Sequence, residues 1–127
     1  MSLNEPTITV HGHLTADPEL RFFESGVQVC ELTVAQNPRF KRGDEWVDGE
    51  TVFMPVKAWR ELAENVAECL RRGQRITVTG RLRRRAWTDK ESGQKRSRDE
   101  VEADDIAASL HRQLVRVSKT PVESQPK

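Results

Sequence analysis

One change in the spacing of hydrophobic residues constrains the fold of this chain more than any other feature. Apolar and polar residues alternate in five segments, which is typical of half-buried β-strands. Between the third and fourth of these, in residues 60–72, apolar residues recur every three or four positions, which indicates an amphipathic helix. The five segments with the strand period are residues 7–14, 27–36, 51–59, 74–87 and 98–107.

The predicted order of three strands, one helix and two strands is that of an OB-fold, a five-stranded Greek-key barrel. We therefore predict an all-β chain that forms an antiparallel barrel, with its one helix between strands 3 and 4. Closing the barrel removes most of the exposed edge that a flat five-stranded sheet would carry. Residues 1–117 are predicted to form this single domain, and the polar residues 118–127 a short disordered tail.

Three residues and one segment mark expected irregularities in this fold. Gly12 predicts a bulge or the close approach of another backbone, and Pro55 predicts a bulge or a local sheet edge, because proline has no N–H to donate. Gly73 is expected to end the helix. The polar residues 37–50 are predicted to form one long hairpin loop.

The composition predicts a soluble protein with a modest core. The 127 residues are 35% hydrophobic and 32% charged, a balance that favours oligomerisation. No apolar run approaches the roughly 18 residues that a membrane span needs, and the first residues lack a signal-peptide pattern, so we expect a cytoplasmic protein. Cys30 and Cys69 form no Cys-x-x-Cys pair and are expected to be free thiols; a disulfide between subunits is the alternative.

Positive charge is concentrated in one part of a nearly neutral chain. The net charge is +1, but residues 71–98 contain eleven Lys or Arg and two acids, and five acids follow in residues 99–105. Such a distribution allows one surface to hold a polyanion. If the run from Arg81 to Thr88 is a strand, Arg81, Arg83, Arg85 and Trp87 project on one side. That face suits single-stranded nucleic acid, and a solvated face with one amphipathic Trp is the alternative.

Aromatic residues at positions that core packing does not require extend this pattern. Two of them, Phe53 and Trp59, stand on the non-core face of the third strand, although Trp59 would also serve as the first apolar anchor of the helix. The rings predicted to stack on bases are Phe40, Phe53, Trp59 and Trp87. The cations predicted to contact phosphates are Arg39, Lys41, Lys57, Arg75, Arg81, Arg83 and Arg85. Of the other large rings, Phe22 and Phe23 are predicted to serve core and edge packing, and Trp46 hairpin packing or subunit contact.

The sequence contains no motif of a catalytic or cofactor site. It has no Gly-rich phosphate loop, nucleophile elbow or His-Glu-x-x-His signature. His11 and His13 share a strand face but lack Cys or carboxylate partners at ligand spacing, and Asp104 and Asp105 point to opposite faces. We therefore predict a protein that is not an enzyme and needs no cofactor or metal; a metal-dependent nuclease is the alternative that these observations disfavour.

Four segments in order resemble bacterial single-stranded DNA-binding proteins. They are ITVHGHLTADPELR at residues 8–21, LTVA at 32–35, WRELAENV at 59–66 and GQRITVTGRL at 73–82. The third of these is similar to the actinobacterial branch. The resemblance spans about residues 7–110, and its several linked motifs make it specific.

The resemblance implies a homotetramer with single-stranded DNA wrapped over its surface. It also implies a cytoplasmic, nucleoid-associated role in replication, repair, recombination or DNA uptake, and base stacking at Phe40, Phe53, Trp59 and Trp87. Met54 departs from the His common in the family near the subunit interface. The ending VESQPK lacks the family's acidic terminus, so we expect a short-tailed paralogue that does not recruit repair enzymes by that route. The second hypothesis is an OB-fold protein-interaction adaptor of the primosome type.

Overall fold

A computed structural model describes residues 4–120 of the chain, and residues 121–127 of the predicted tail lie outside this range. The described part contains one helix and strands that extend the predicted set. In chain order these elements are β1 (Thr7–Leu14), β2 (Glu19–Phe22), β3 (Gln28–Gln36), β4 (Arg39–Arg42), β5 (Glu45–Asp48), β6 (Val52–Trp59), α1 (Arg60–Cys69), β7 (Arg75–Thr88) and β8 (Lys95–Ala108).

The five predicted strands close into a barrel, which confirms the predicted fold class. The sheet runs in the order β1-β7-β8-β6-β3-β2, and a further pairing of β1 with β3 closes the ring. The prediction that all neighbours are antiparallel is wrong in one place, because β6 and β8 pair in parallel at Val56 and Lys57. A closed ring with an odd number of strands cannot alternate in direction all the way round, so one parallel pair is unavoidable.

The alternating apolar residues of the five barrel strands form the core. Val10, Val34, Val56, Ile76 and Val101 are each at most 1% exposed. The helix covers this core with Ala63 and Val66, which lie on its buried face. Full burial of each large aliphatic side chain contributes about 1.5–3 kcal/mol, so the barrel interior dominates the stability of the fold.

Two glycines lie where neighbouring backbones approach too closely for any side chain. A Cβ atom on Gly12 would lie 2.2 Å from the carbonyl oxygen of Ala35, which confirms the predicted close approach. A Cβ atom on Gly80 would lie 2.2 Å from the carbonyl oxygen of Glu102, beside a register shift between β7 and β8. Both positions therefore require glycine for contact between strands rather than for a turn.

The helix is shorter than its hydrophobic period predicts. It ends at Cys69 rather than at residue 72, and Arg71 turns its guanidinium back to donate hydrogen bonds to the carbonyl oxygens of Ala67 and Leu70, both at 2.8 Å. Gly73 lies in the following turn with a φ of +88°, a left-handed conformation that favours glycine. The basic side chain satisfies carbonyls that the helix leaves unpaired at its end.

The predicted loop of residues 37–50 is a ribbon of two strands. β4 and β5 pair antiparallel with Phe40 opposite Val47, and every residue of both strands is exposed. Alternation arises only when one face is buried, so this ribbon lacks the signal by which the barrel strands are recognised. The short β2 adds to the edge of β3 and was missed for the same reason, since three of its four residues are exposed.

Pro55 is accommodated without a bulge. β6 runs past it in unbroken register with β3, with Pro55 opposite Thr33. Pairing of β6 with β8 begins only at Val56, so the proline lies at a local edge of the sheet.

The two cysteines should differ sharply in reactivity. Burial, followed by the nearby charge of Glu31, raises the pKa of Cys30 to about 11, whereas Cys69 is exposed at the end of α1. The thiolate is the reactive form, so we expect an aromatic disulfide reagent at pH 8 to titrate one thiol per native chain and two after denaturation. Rapid titration of two thiols in the native protein would contradict the burial of Cys30.

Candidate nucleic-acid interface

The outward side chains of three neighbouring strands form one continuous surface, which we call the β6–β8–β7 face. Its register follows from the core, because Val56 and Val101 are paired and buried, so the next pair, Lys57 and Glu102, points outward. On β7, Arg81 is paired with the same Glu102. The face consists of Phe53, Pro55, Lys57 and Trp59 from β6, Arg96, Arg98, Glu100 and Glu102 from β8, and Arg81, Arg83, Arg85 and Trp87 from β7.

The end of this face at the β7–β8 hairpin combines a ring with several cations. Trp87 is paired with Arg96, and Arg85 with Arg98. Trp87 is 42% exposed, and within residues 4–120 the Arg85 side chain makes no ion pair or hydrogen bond. An exposed indole beside a free guanidinium offers a surface for a base next to one for its phosphate.

Phe53 and Phe40 present two further rings to solvent. Phe53 begins the β6–β8–β7 face and is 62% exposed, opposite Ala35 of β3. Phe40 lies on the β4–β5 ribbon and is 57% exposed. Beside it, Lys41 makes no ion pair in the described part of the chain. These rings contribute little to the barrel core, as their positions in the sequence predict.

Trp59 serves the fold and remains partly accessible. It is the N-cap residue of α1 and makes no side-chain capping hydrogen bond, and its indole Nε1 is buried without a hydrogen-bond partner. Its ring centroid lies 5.6 Å from that of Phe23, at an interplanar angle of 32°. The structure therefore supports both the packing interpretation of Trp59 and an aromatic surface at this position.

The basic strand β7 is largely neutralised by acids of the chain itself. Arg81 lies 3.3 Å from a carboxylate oxygen of Glu5, 3.7 Å from one of Glu102 and 3.4 Å from one of Asp104. Arg83 lies 3.0 Å from Glu5 and 2.5 Å from Glu102. The acids that follow the basic run in the sequence lie on β8, which pairs with the basic strand β7 across the hairpin. Two of the predicted phosphate-binding cations already hold carboxylates.

Lys57 is also engaged, by a carboxylate that it shares with another cation. Glu100 is only 9% exposed, and its oxygens lie 3.7 Å from the Lys57 amine and 3.6 Å from the Arg98 guanidinium. On the opposite face of the hairpin, the hydrogen bond and charge of Asp99 raise the pKa of Arg84. A phosphate near Lys57 would have to compete with Glu100.

The remaining two predicted cations lie away from the β6–β8–β7 face. Arg39 on the ribbon lies 3.3 Å from Asp48, and its guanidinium lies 5.8 Å from the centroid of the Trp46 ring. Arg75 lines a groove with His13 and Pro38 at the base of the ribbon. Trp46 is 59% exposed, and its prediction as a packing or subunit-contact residue stays a prediction.

Sequence reasoning missed three residues that the fold places at this surface. Arg96 precedes the predicted strand of residues 98–107, whereas β8 begins at Lys95 and brings it opposite Trp87. Arg98 begins the predicted strand and lies opposite Arg85, but it was not predicted as a site residue. Phe22 and Phe23 were assigned to core and edge packing; the core assignment is wrong, since they are 63% and 52% exposed, whereas Phe23 does pack against Trp59 beside the edge strand β2. Residues 95–99 of β8 are all exposed, so the start of this strand has no apolar alternation by which it could be recognised.

Residues 4–120 contain no cluster of three or more His, Cys, Asp or Glu placed to hold a metal ion. His11 instead shares a 3.0 Å hydrogen bond with the Thr77 hydroxyl through its Nδ1 atom. Among the described helices none has the length and apolar character to cross a membrane.

Comparisons with known proteins agree with this geometry. Residues 6–109 match the model of the single-strand binding protein family. The chain is 51% identical over 117 residues to a single-stranded DNA-binding protein of Mycolicibacterium smegmatis, covering 91% of this chain and 70% of that protein. It is 47% identical over 118 residues to single-stranded DNA-binding protein 2 of Streptomyces coelicolor, covering 91% of this chain and 59% of that protein.

A solved structure has the same fold. The crystal structure of a small single-stranded DNA-binding protein from Streptomyces coelicolor superposes with a TM-score of 0.75 and 30% sequence identity, covering 87% of this chain and all of that one. The barrel, the outward rings and the matched residues lead to one conclusion: this chain belongs to the single-strand binding protein family.

Proposed function

We propose that this chain binds single-stranded DNA without reading its base sequence, and that it coats and protects the strand without catalysing a reaction. The observation that carries the proposal is the juxtaposition on one face of exposed rings and cations, above all Trp87 beside Arg85. Every base has a flat π-face, so stacking on such rings tolerates any sequence. The pathways served are replication, repair, recombination or DNA uptake, in the cytoplasm and at the nucleoid.

The predicted site residues divide into three groups in this proposal. Phe40, Phe53, Trp59 and Trp87 are the stacking rings. Lys41, Arg75 and Arg85 contact phosphates directly, supported by the absence of acid partners for their side chains within the described range. The cations that must exchange a carboxylate for a phosphate are Arg39, Lys57, Arg81 and Arg83. Such exchange releases fewer counterions and lowers the net gain of each contact.

The active form is proposed to be a homotetramer around which the strand wraps. Light scattering of the protein alone and with an excess of oligo-dT gives the subunit number and the DNA stoichiometry together. We expect a mass of four chains that increases by the mass of the bound oligonucleotide. A mass that oligo-dT leaves unchanged would contradict DNA binding, and a monomer that binds oligo-dT would contradict only the tetramer.

Neutralising Glu102 should strengthen binding, because its carboxylate holds both Arg81 and Arg83. We expect the Glu102→Gln substitution to increase affinity for oligo-dT about threefold at low salt, a modest gain because these pairs are partly exposed. The logarithmic salt slope should steepen by less than about 0.7 for each of these two cations, because Glu5 still pairs with both. Fluorescence titrations at several salt concentrations measure both.

The matched control is Glu68→Gln, which removes the same charge from the exposed side of α1. If both substitutions change the affinity equally, the effect is one of net charge, and the local competition at Arg81 and Arg83 is absent.

A further inference from the structure

Phe23 is an exposed ring that the proposed interface leaves unused. It follows β2 directly, and its backbone closes a turn in which its carbonyl oxygen accepts a 2.8 Å hydrogen bond from the N–H of Gly26. Its ring stands beside Trp59 at a centroid distance of 5.6 Å and a shallow tilt of 32°. The two rings together present a larger aromatic surface than Trp59 alone.

These rings line a groove between the turn after β2 and the start of α1. Its other lining residues include Arg60, Leu62, Arg81 and Asp104. The groove therefore has an aromatic side and a charged side, and it is continuous with the β6–β8–β7 face through Trp59 and Arg81.

The charges around the groove favour a neutral planar occupant with one adjoining negative charge. The charge of Arg81 is compensated by Glu102 and Asp104, which also line the groove. The charged side of the groove therefore neither attracts nor repels a charged ligand strongly. Arg60 is exposed and has no ion pair within residues 4–120. A flat base beside the rings, with its phosphate at Arg60, satisfies both conditions.

The backbone of Arg60 points to a role beyond packing. Its φ is +60°, a left-handed conformation that is unfavourable for a residue with a long side chain. Residues held in such conformations concentrate at binding and catalytic sites, where the surrounding structure enforces them. Here the strained residue is the free cation at the rim of the aromatic groove.

We propose that this groove is a further nucleotide subsite, in which one base stacks on the Phe23–Trp59 pair and the adjoining phosphate pairs with Arg60. The subsite rests on the proposed binding of single-stranded DNA and adds to it a fifth ring and a further cation. An aromatic side chain of a protein partner is the competing occupant.

Substitution of Phe23 tests the stacking half of the proposal. Phe23→Leu keeps an apolar side chain beside Trp59 but removes the ring, and we expect it to weaken binding of oligo-dT about fivefold to tenfold. Phe23→Trp restores a ring and should bind as tightly as the unaltered protein. Phe22→Leu is the matched control, because Phe22 is the same residue type, is 63% exposed and makes no ring contact in the described part of the chain.

Substitution of Arg60 tests the phosphate half. Asn tolerates a left-handed backbone, so Arg60→Asn removes the charge with little strain, and we expect the salt slope to decrease by about 0.7. Arg112→Asn is the control, since Arg112 is also exposed and has a φ of 63°. A decrease that both variants share equally would overturn the assignment to Arg60.

The outcomes separate this subsite from the proposed function. If the unaltered protein binds oligo-dT and Phe23→Leu binds it as tightly as Phe22→Leu, the base subsite is overturned while DNA binding stands, and the groove is left to a protein partner. If the unaltered protein does not bind oligo-dT, the proposed function itself fails. Weakening by Phe23→Leu that Phe23→Trp reverses supports the subsite, because loss of folding alone would not depend on the ring.

Discussion

Replacing Trp87 by alanine should weaken binding to oligo-dT by about tenfold or more at every salt concentration. Stacking of one base on an aromatic side chain is worth about 1–3 kcal/mol, and about 1.4 kcal/mol corresponds to a factor of ten in affinity. Trp87 is 42% exposed at the hairpin end of the β6–β8–β7 face, where Arg85 and Arg96 flank it. Because the lost term is stacking, the salt slope should stay unchanged.

Two variants separate stacking from other effects of losing this indole. Trp87→Phe retains a ring and should keep most of the affinity. Trp46→Ala removes an indole that is even more exposed, at 59%, from a ribbon strand between Glu45 and Asp48, and should change the affinity much less. Equal losses in the Trp46 and Trp87 variants would contradict the assignment of stacking to Trp87. A change in the salt slope of the Trp87→Ala variant would instead show that Trp87 acts indirectly, by positioning the neighbouring cations.

Replacing Gly80 by alanine should destabilise the protein by about 2–3 kcal/mol. The new Cβ atom would lie 2.2 Å from the carbonyl oxygen of Glu102 and 2.9 Å from the Cα atom of Ala103, and neither backbone atom can rotate away. The strands β7 and β8 must separate locally to relieve the contact. Because Glu102 pairs with Arg81 and Arg83, the same shift should disturb the ion pairs of the proposed interface.

Urea unfolding followed by circular dichroism measures this loss. Thr79→Ala is the neighbouring control, because Thr79 is exposed on the same strand and its truncation should change stability by less than about 0.5 kcal/mol. If Gly80→Ala unfolds at the same urea concentration as the control, the strands are not as close as the register between β7 and β8 requires.

The barrel could be predicted from the sequence because its strands bury one face. Val10, Ile76 and Val78 alternate with polar residues, and all three are at most 1% exposed. The helix was recognised for the same reason, since Ala63 and Val66 define its buried face. Its end was predicted three residues too late. The helix ends where the Arg71 side chain donates hydrogen bonds to the last carbonyl oxygens, and the spacing of apolar residues contains no information about such a contact.

Elements without a buried face could not be predicted in this way. The β4–β5 ribbon is exposed throughout, so nothing in its hydrophobic pattern distinguishes it from a loop. The parallel pairing of β6 with β8 is a property of the closed ring rather than of either strand. Neither feature has a local sequence signal of the kind that marks a core strand.

The exposure of the candidate rings could be predicted from the sequence, whereas the ion pairing of the candidate cations could not. Phe40, Phe53 and Trp87 are exposed, as their positions outside the core pattern indicate. The partners of Arg81 and Arg83 depend on the register of the β7–β8 hairpin, which brings Glu102 beside both. The count of basic residues therefore overstates the positive charge that this face offers to a ligand.

Competition between single-stranded and duplex DNA tests the central claim most directly. Oligo-dT should quench the tryptophan fluorescence of the protein at moderate salt, and a duplex of equal length should displace it poorly, because duplex bases are stacked within the helix and unavailable to the rings. Both forms offer phosphates to the cations, so binding through charge alone would not separate them in this way. Equal affinity for the two forms would contradict base stacking as the basis of recognition.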